Sequence, residues 1–315
     1  MTGTIWDLYR AIWRVTGRQQ FVLIGLSVVI AALAAAPLKF QQLVVNSLVY
    51  GGDAQRLAWL CAGLLGVVLL SAALKFALNF KLSIVGEGVV LLIRERLYTN
   101  FVFDAAGMPA KDAPKRGTLV TMLSSEAEFV GSFAGAAIAS PLMQIGTLIS
   151  VITFILASQP WLGLVALGVV IPQAAIVIAI QSRINRRVRE RAQSLRNASD
   201  RISESDLARV EDEVVADFRD IFATRRRIFL LKLSSKFALS TISAGGVVSI
   251  LFLGGLLVLE GRSDVGTVVA SLTGLTRIEG PWRDLVSFFR TASTVRVKYA
   301  MLIRAISPRQ NAADR

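Results

Sequence analysis

Long apolar runs dominate this chain, and their spacing predicts six helices that cross a bilayer. The runs cover about 21–49, 57–85, 130–156, 161–180, 237–259 and 265–289, each near or above the roughly 20 residues that a spanning helix needs. Three links between them are short and polar: Gly51-Gly52-Asp53, Gln159-Pro160 and the 260–264 segment. Each predicts a tight hairpin turn. Helical periodicity after the second run persists through Lys75, Asn79, Lys81 and Glu87 to Phe103, farther than one bilayer thickness. That helix is expected to project out of the membrane until Pro109 and Pro114 break it. A short polar segment, 117–129, then leads into the third run.

The most polar stretch, 181–227, predicts a second projection. Arg183, Arg186, Arg187, Arg189 and Arg191 open it, and Glu204, Asp206, Glu211, Asp212 and Glu213 are interleaved farther on. Ile184, Val188, Leu195 and Ile202 recur at helical spacing, and Leu207, Val210, Val214, Phe218 and Ile221 do so again. The pattern predicts two helices turning near 199–206, where Ser203 and Asp206 form a capping-box-like start. Residues 1–20 place Ile5, Tyr9, Ile12 and Trp13 on one face and Arg10, Arg14 and Arg18 elsewhere, which predicts an interfacial cytoplasmic helix. The 21–36 stretch ends in Ala34-Ala35-Ala36 like a signal peptide, yet its leading region is long and aromatic, so it is expected to be retained. Residues 21–306 then form one six-helix transmembrane domain, 307–315 a polar tail, and no β pattern competes.

Composition strengthens the membrane assignment. Hydrophobic residues make up 54% of the 315 and mean hydropathy is +0.58, above the usual share for a soluble domain. The net charge of +13 comes from arginines beside apolar spans, without basic patches interleaved with exposed aromatics, so no nucleic-acid partner is expected. The positive-inside rule accounts for it and predicts that both termini are cytoplasmic. Abundant Arg, Ala, Gly and Val fit a bacterial inner membrane. His is absent and Cys61 is the lone cysteine, which excludes disulfides within the chain, His/Cys zinc sites and Cys/His catalysis. With no paired carboxylates in a polar pocket either, no enzyme constellation emerges.

The sixth run carries the candidate chemistry. Arg277, Glu279, Arg283 and Asp284 stand in an apolar stretch with Thr273, Thr276, Gly280, Pro281 and Trp282. A charge at mid-membrane costs about 3 kcal/mol on insertion scales, so these must face a cavity or one another. Two readings stay open: Glu279 and Arg283 at i,i+4 neutralise each other, or Arg277, Glu279, Trp282, Arg283 and Asp284 line a substrate path. Gly280-Pro281 is expected to loosen the helix there. Lys39, Gln41, Gln42 and Asn46 form a second polar group, either snorkelling to the interface or serving a site; Lys75, Asn79 and Lys81 line an inner vestibule or meet solvent.

Several stretches, in order, carry a family likeness. They are GEGVVLLIRERLYTNFV over 86–102, RGTLVTMLSSEAEFVGSF over 116–133, the 210–222 segment around Glu213, VGTVVA over 265–270, and Gly280-Pro281. Together they resemble the transmembrane domain of exporter-type ABC transporters over nearly the whole chain. The resemblance implies an all-α fold of six long transmembrane helices with two cytoplasmic helical extensions. It implies that Ser125, Glu126 and Glu213 touch a nucleotide-binding ATPase subunit, and that ATP and magnesium belong to that partner. One such unit supplies half a translocation path, which implies a homodimer or a paired half-transporter. No G-x-x-x-x-G-K-[ST] occurs, so ATP hydrolysis is expected only from the partner. Asp217 stands where the family usually has Gly, and Phe222 where a basic residue is common. An ion-coupled carrier of the same fold and a non-transporting scaffold or regulator are the alternatives.

Overall fold

The computed structural model describes residues 5–105, 120–180, 183 and 211–306, and every element among them is helical. In order they are α1 (Ile5–Leu33), α2 (Ala36–Val49), α3 (Ala54–Ala105), a single π turn (Met122–Glu126), α4 (Ala127–Ala136), α5 (Ala139–Ser158), α6 (Pro160–Ile180), α7 (Glu211–Leu259) and α8 (Val265–Ile306). Five segments are long and apolar enough to cross a membrane: Tyr9–Val49, Ala54–Thr99, Ala139–Ser158, Pro160–Ile180 and Ile221–Leu259. The protein is therefore an all-helical, multi-pass membrane protein. The expected sixth run lies in α8, whose 42 residues are continuous but diluted by the four mid-helix charges.

Boundaries differ from the hydropathy pattern where local chemistry intervenes. α1 runs unbroken through residue 20, and a turn at Ala34-Ala35, just before Pro37, separates it from α2. Pro37 sits in the first turn of α2, where its missing N–H costs nothing. The expected 57–85 run occupies part of the 52-residue α3. The expected 130–156 run is divided by a turn at Ala137-Ile138 into α4 and α5. Two hairpin turns use one device, a glycine in left-handed conformation after a helix: Gly51 at φ 74° follows α2 and Gly261 at φ 71° follows α7. The Gly52 N–H then donates to the Ser47 carbonyl at 2.7 Å, and the Arg262 N–H to Leu257 at 2.8 Å, occupying carbonyls the helix ends leave open.

The chain divides into two compact units, one of Met1–Phe154 with Val265–Arg315, the other of Ile155–Asp264. In the first, the most extensive packing joins α3 to α4. Its cause is a pair of glycines one turn apart, Gly131 and Gly135, facing Gly86. A Cβ on Gly131 would lie 3.0 Å from the Gly86 carbonyl oxygen, and one on Gly135 would collide with the Leu82 carbonyl. Around this crossing Val89, Leu97, Val130, Phe133, Ala134, Ile12, Val295 and Leu302 form one buried cluster, and Leu23, Ile30, Leu78, Val85 and Ala139 form another. α1 supplies its share through a helical stripe, Ile12, Thr16, Leu23, Ser27 and Ile30, all buried. In the second unit Leu162, Ala166 and Ile250 are fully buried. There Gln173 on α6 donates to Ser243 Oγ on α7 at 2.9 Å.

The glycine crossing yields a test. Gly135→Ala should lower the thermal midpoint of the detergent-purified protein by several degrees, the overpacking cost being about 1–3 kcal/mol. Gly88→Ala, on α3 with open space where the Cβ would go, should leave it unchanged or slightly raised.

Candidate functional site

At 3.6 residues per turn, α8 presents Thr267, Ser271, Leu275, Ile278 and Leu285 as one buried stripe. The same geometry splits the four charges between the two flanks of that stripe, Arg277 with Asp284 on one and Glu279 with Arg283 on the other. All four are exposed in the single chain. Among the described residues no ion pair joins Glu279 to Arg283, so their helical spacing does not produce mutual neutralisation here. Asp284 instead accepts a hydrogen bond from Gln144 Nε2 of α5 at 2.9 Å. Trp282 is half-buried, and its indole N–H is shielded without a hydrogen-bond partner among the described residues. Pro281 lies inside α8 and withholds the N–H that the Arg277 carbonyl would otherwise accept from.

The polar group on α2 holds the first half of α8. Gln42 Nε2 donates to Thr267 Oγ1 at 2.6 Å, and Gln41 Nε2 donates to Thr273 Oγ1 at 2.9 Å. Asn46 Oδ1 accepts the Gly266 N–H at 2.8 Å, satisfying one of the donors that a helix start leaves open. Lys39 is exposed, but its Nζ donates to Gln42 Oε1 at 2.9 Å and so orients the amide toward Thr267. A Cβ at Gly266 would strike the Gln42 carbonyl, which shows how closely the backbones approach. Snorkelling therefore describes Lys39 at most; its three neighbours bind α8. Lys75, Asn79 and Lys81 are exposed on α3.

A second candidate surface is the π turn before α4. Its defining bond runs from the Ala127 N–H to the Met122 carbonyl, five residues back. Ser124 Oγ donates to the Val120 carbonyl at 2.8 Å and Ser125 Oγ to the Thr121 carbonyl at 3.2 Å. Arg94 of α3 donates from Nε to the Leu123 carbonyl at 2.8 Å and from a terminal nitrogen to the Ser124 carbonyl at 3.5 Å. Ser125 is exposed, and Glu126 is half-buried with Oε2 shielded and unpartnered among the described residues. Glu213 lies in the first turn of α7, described by its backbone alone. The predicted hairpin turn near Ser203 and Asp206 falls outside the described residues. Phe222, the residue noted as unusual, is exposed on α7.

Thus the structure brings Asp284 to Gln144 and α2 to Thr267 and Thr273, and keeps Ser125 and Glu126 together on one turn. Sequence reasoning missed Gln144, Thr267, Ser271 and Arg94. A lone amide within an apolar run was the available signal for Gln144. Arg94 offered none, since Glu95 and Arg96 beside it look equally like a solvated face.

Charged flanks on a long proline-containing helix, a polar latch to its neighbour and several long apolar helices define a membrane protein with a polar feature inside its spans. Residues 21–205 match the family described as ABC transporter transmembrane region, and the chain belongs to that family. It is also 23% identical over 239 residues to "Uncharacterized ABC transporter ATP-binding protein YfiC" of Bacillus subtilis (strain 168). That match covers 72% of this chain and 39% of the relative.

The α2 latch is directly measurable. Gln42→Leu and Thr267→Val should each destabilise the protein, and the double mutant should cost less than the sum. The coupling energy expected from unfolding in mixed micelles is about 0.6–1.7 kcal/mol, the range for hydrogen bonds between membrane helices.

Proposed function

We propose that this chain is the membrane-spanning subunit of an ABC-type exporter, forming the translocation path and working with an ATPase on a separate chain. The observation that carries this reading is the family match over 21–205, which contains both the π turn with Ser125 and Glu126 and the start of the second polar projection. The named relative, described as an ATP-binding protein of an ABC transporter, supports an ATP-driven partner. In this reading α8 is the sixth crossing, and both termini face the cytoplasm of a bacterial cell with the Gly51, Pro160 and Gly261 turns outside. The arginine-rich 181–227 stretch supports that orientation, because Lys and Arg accumulate on the cytoplasmic side. The membrane is the inner one.

ATP and magnesium, bound by the partner, supply the energy. This chain's residues receive and convey the movement: Ser125, Glu126 and Glu213 meet the partner, and α3 and α7, rigid over 52 and 49 residues, carry the push into the bundle. A stiff helix delivers displacement to its far end without dissipating it, which suits rigid-body switching. Arg277, Glu279, Arg283, Asp284 and Trp282 then face a path completed by a second copy or a paired half. Exposure of all four charges in the single chain supports this, since an ion at membrane depth needs water or a counter-charge.

Purification from the native membrane should recover an ATPase subunit with this chain. In reconstituted complex, Glu213→Lys should lower ATPase stimulation several-fold without loss of the folded chain. Substrate flux in proteoliposomes without any ATPase, driven by a proton gradient, would replace this reading with an ion-coupled carrier. Binding of a partner without flux, insensitive to Arg277→Ala or Glu279→Ala, would replace it with a scaffold.

A further inference from the structure

The π turn at Met122–Glu126 poses a problem that Arg94 answers. A π turn inserts one residue into a helix, so the Met122 carbonyl is taken by the Ala127 N–H five residues on and the following turn is rotated by about 100°. Side-chain donors add hydrogen bonds to the carbonyls around this turn. Here the carbonyls of Val120 and Thr121 are taken by the Ser124 and Ser125 hydroxyls, both within the turn itself. Those of Leu123 and Ser124 are taken by a single guanidinium from another helix, Arg94 of α3. The Nε bond is the strong one at 2.8 Å, and the terminal-nitrogen bond at 3.5 Å is longer. Only a planar fork of fixed N–H donors spans two successive carbonyls in this way; a lysine ammonium reaches one with equal strength but does not hold the pair in a plane.

The position of the clamp gives it consequence. Two turns before it on α3 is Gly86, and one and two turns after the π turn on α4 are Gly131 and Gly135, where the two helices meet backbone to backbone. The segment between clamp and crossing is therefore held at both ends, by hydrogen bonds at Leu123 and Ser124 and by close packing at Gly131 and Gly135. Ile93 of α3 and Met122, Leu123 and Phe129 pack against the same buried cluster. Ser125 and Glu126 sit inside this doubly held segment, Ser125 exposed and Glu126 half-buried.

We propose that Arg94 is a positioning residue that locks the π turn to α3, so that force applied at Ser125 and Glu126 moves α3 and α4 as one body and is not absorbed by the turn. The inference rests on the exporter reading for the source of the force; the lock itself stands on the two hydrogen bonds. Arg94 touches neither ATP nor substrate, and acts through the segment it holds. Without it the carbonyls of Leu123 and Ser124 turn to water, the turn relaxes, and a push on its outer face is spent on local bending.

The test uses the full chain with its lone, exposed cysteine removed by Cys61→Ser and a nitroxide label attached at Glu128→Cys, exposed in the first turn of α4. Arg94→Ala should increase label mobility, Arg94→Lys should give an intermediate spectrum, and Arg96→Ala, at an exposed position two residues on, should give the parent spectrum. Thermal midpoints of the Arg96 and Arg94→Lys variants should match the parent within a few degrees. In complex with the co-purified ATPase subunit, Arg94→Ala should reduce the ATPase stimulation given by this chain several-fold while leaving KM for ATP unchanged, and Arg94→Lys should restore part of it. A label spectrum identical in Arg94→Ala and parent overturns the lock. If Arg94→Ala does not fold, Arg94→Lys decides: a parent spectrum and full stimulation overturn the proposal. If even the parent stimulates no ATPase, the exporter reading falls, and the label spectra still decide whether Arg94 locks the turn.

Discussion

A hydrocarbon environment offers no water to a polar group, so every amide, hydroxyl and backbone donor at membrane depth must find its partner within the protein. The arrangement of this chain follows from that constraint. Gln42 has its amide nitrogen on Thr267 and its oxygen on Lys39; Asn46 caps the start of α8; Gln144 reaches Asp284; Gln173 reaches Ser243. All but the Lys39 contact join two helices that apolar contact alone would allow to slide, because lipid tails are as apolar as leucine and give no preference for one helix register over another. The amides are few, and each selects a particular pairing. Ser27 adds a finer instance, its one hydroxyl hydrogen within reach of the Leu23 carbonyl of its own helix at 2.8 Å and of the Ala139 carbonyl where α5 begins at 3.1 Å.

Where polar partners are lacking, close backbone approach takes over. The crossing of α3 and α4 depends on Gly86, Gly131 and Gly135, whose missing side chains let dispersion contacts accumulate between backbones. The two devices alternate along the first unit: a hydrogen-bonded clamp at Arg94, a glycine contact two turns away, and the Gln42 and Asn46 latch between α2 and α8. α8 is held firmly along its first half, at Gly266, Thr267 and Thr273, and by apolar contacts at Val295 and Leu302 farther on. Between these anchors lie Pro281 and all four charges. In that middle stretch Pro281 leaves the Arg277 carbonyl without its usual donor, while Asp284 is tied to Gln144.

How much of this was legible from residues alone varies with the kind of interaction. Gly51 and Gly261 were readable as turns because only glycine takes the left-handed conformation cheaply and both interrupt apolar runs. The long α3 was readable because periodicity outlasted a bilayer thickness. The turn at Ala137-Ile138 was not, since neither residue carries a breaking signal and hydropathy continues through it. The charges on α8 stand out in an apolar run, but spacing alone favours a Glu279–Arg283 pair as much as a substrate path. The structure leaves that pair unformed and commits Asp284 to a glutamine 140 residues away. Arg94 is not legible among neighbouring charges because its partners are backbone carbonyls of a π turn, a feature that no residue pattern announces.

By itself the sequence determined that this is a helical membrane protein with tight glycine turns and charges within its last long helix, because those depend on hydropathy, periodicity and conformational preference within a window of a few turns. Only the tertiary structure decided which amide meets which hydroxyl, which glycines touch, which guanidinium holds the turn before α4, and which of the charges on α8 has a partner. Those choices bring together residues separated by up to 232 positions, as with Gln41 and Thr273. Pairings at that range are set by how helices pack, and local pattern carries no information about them.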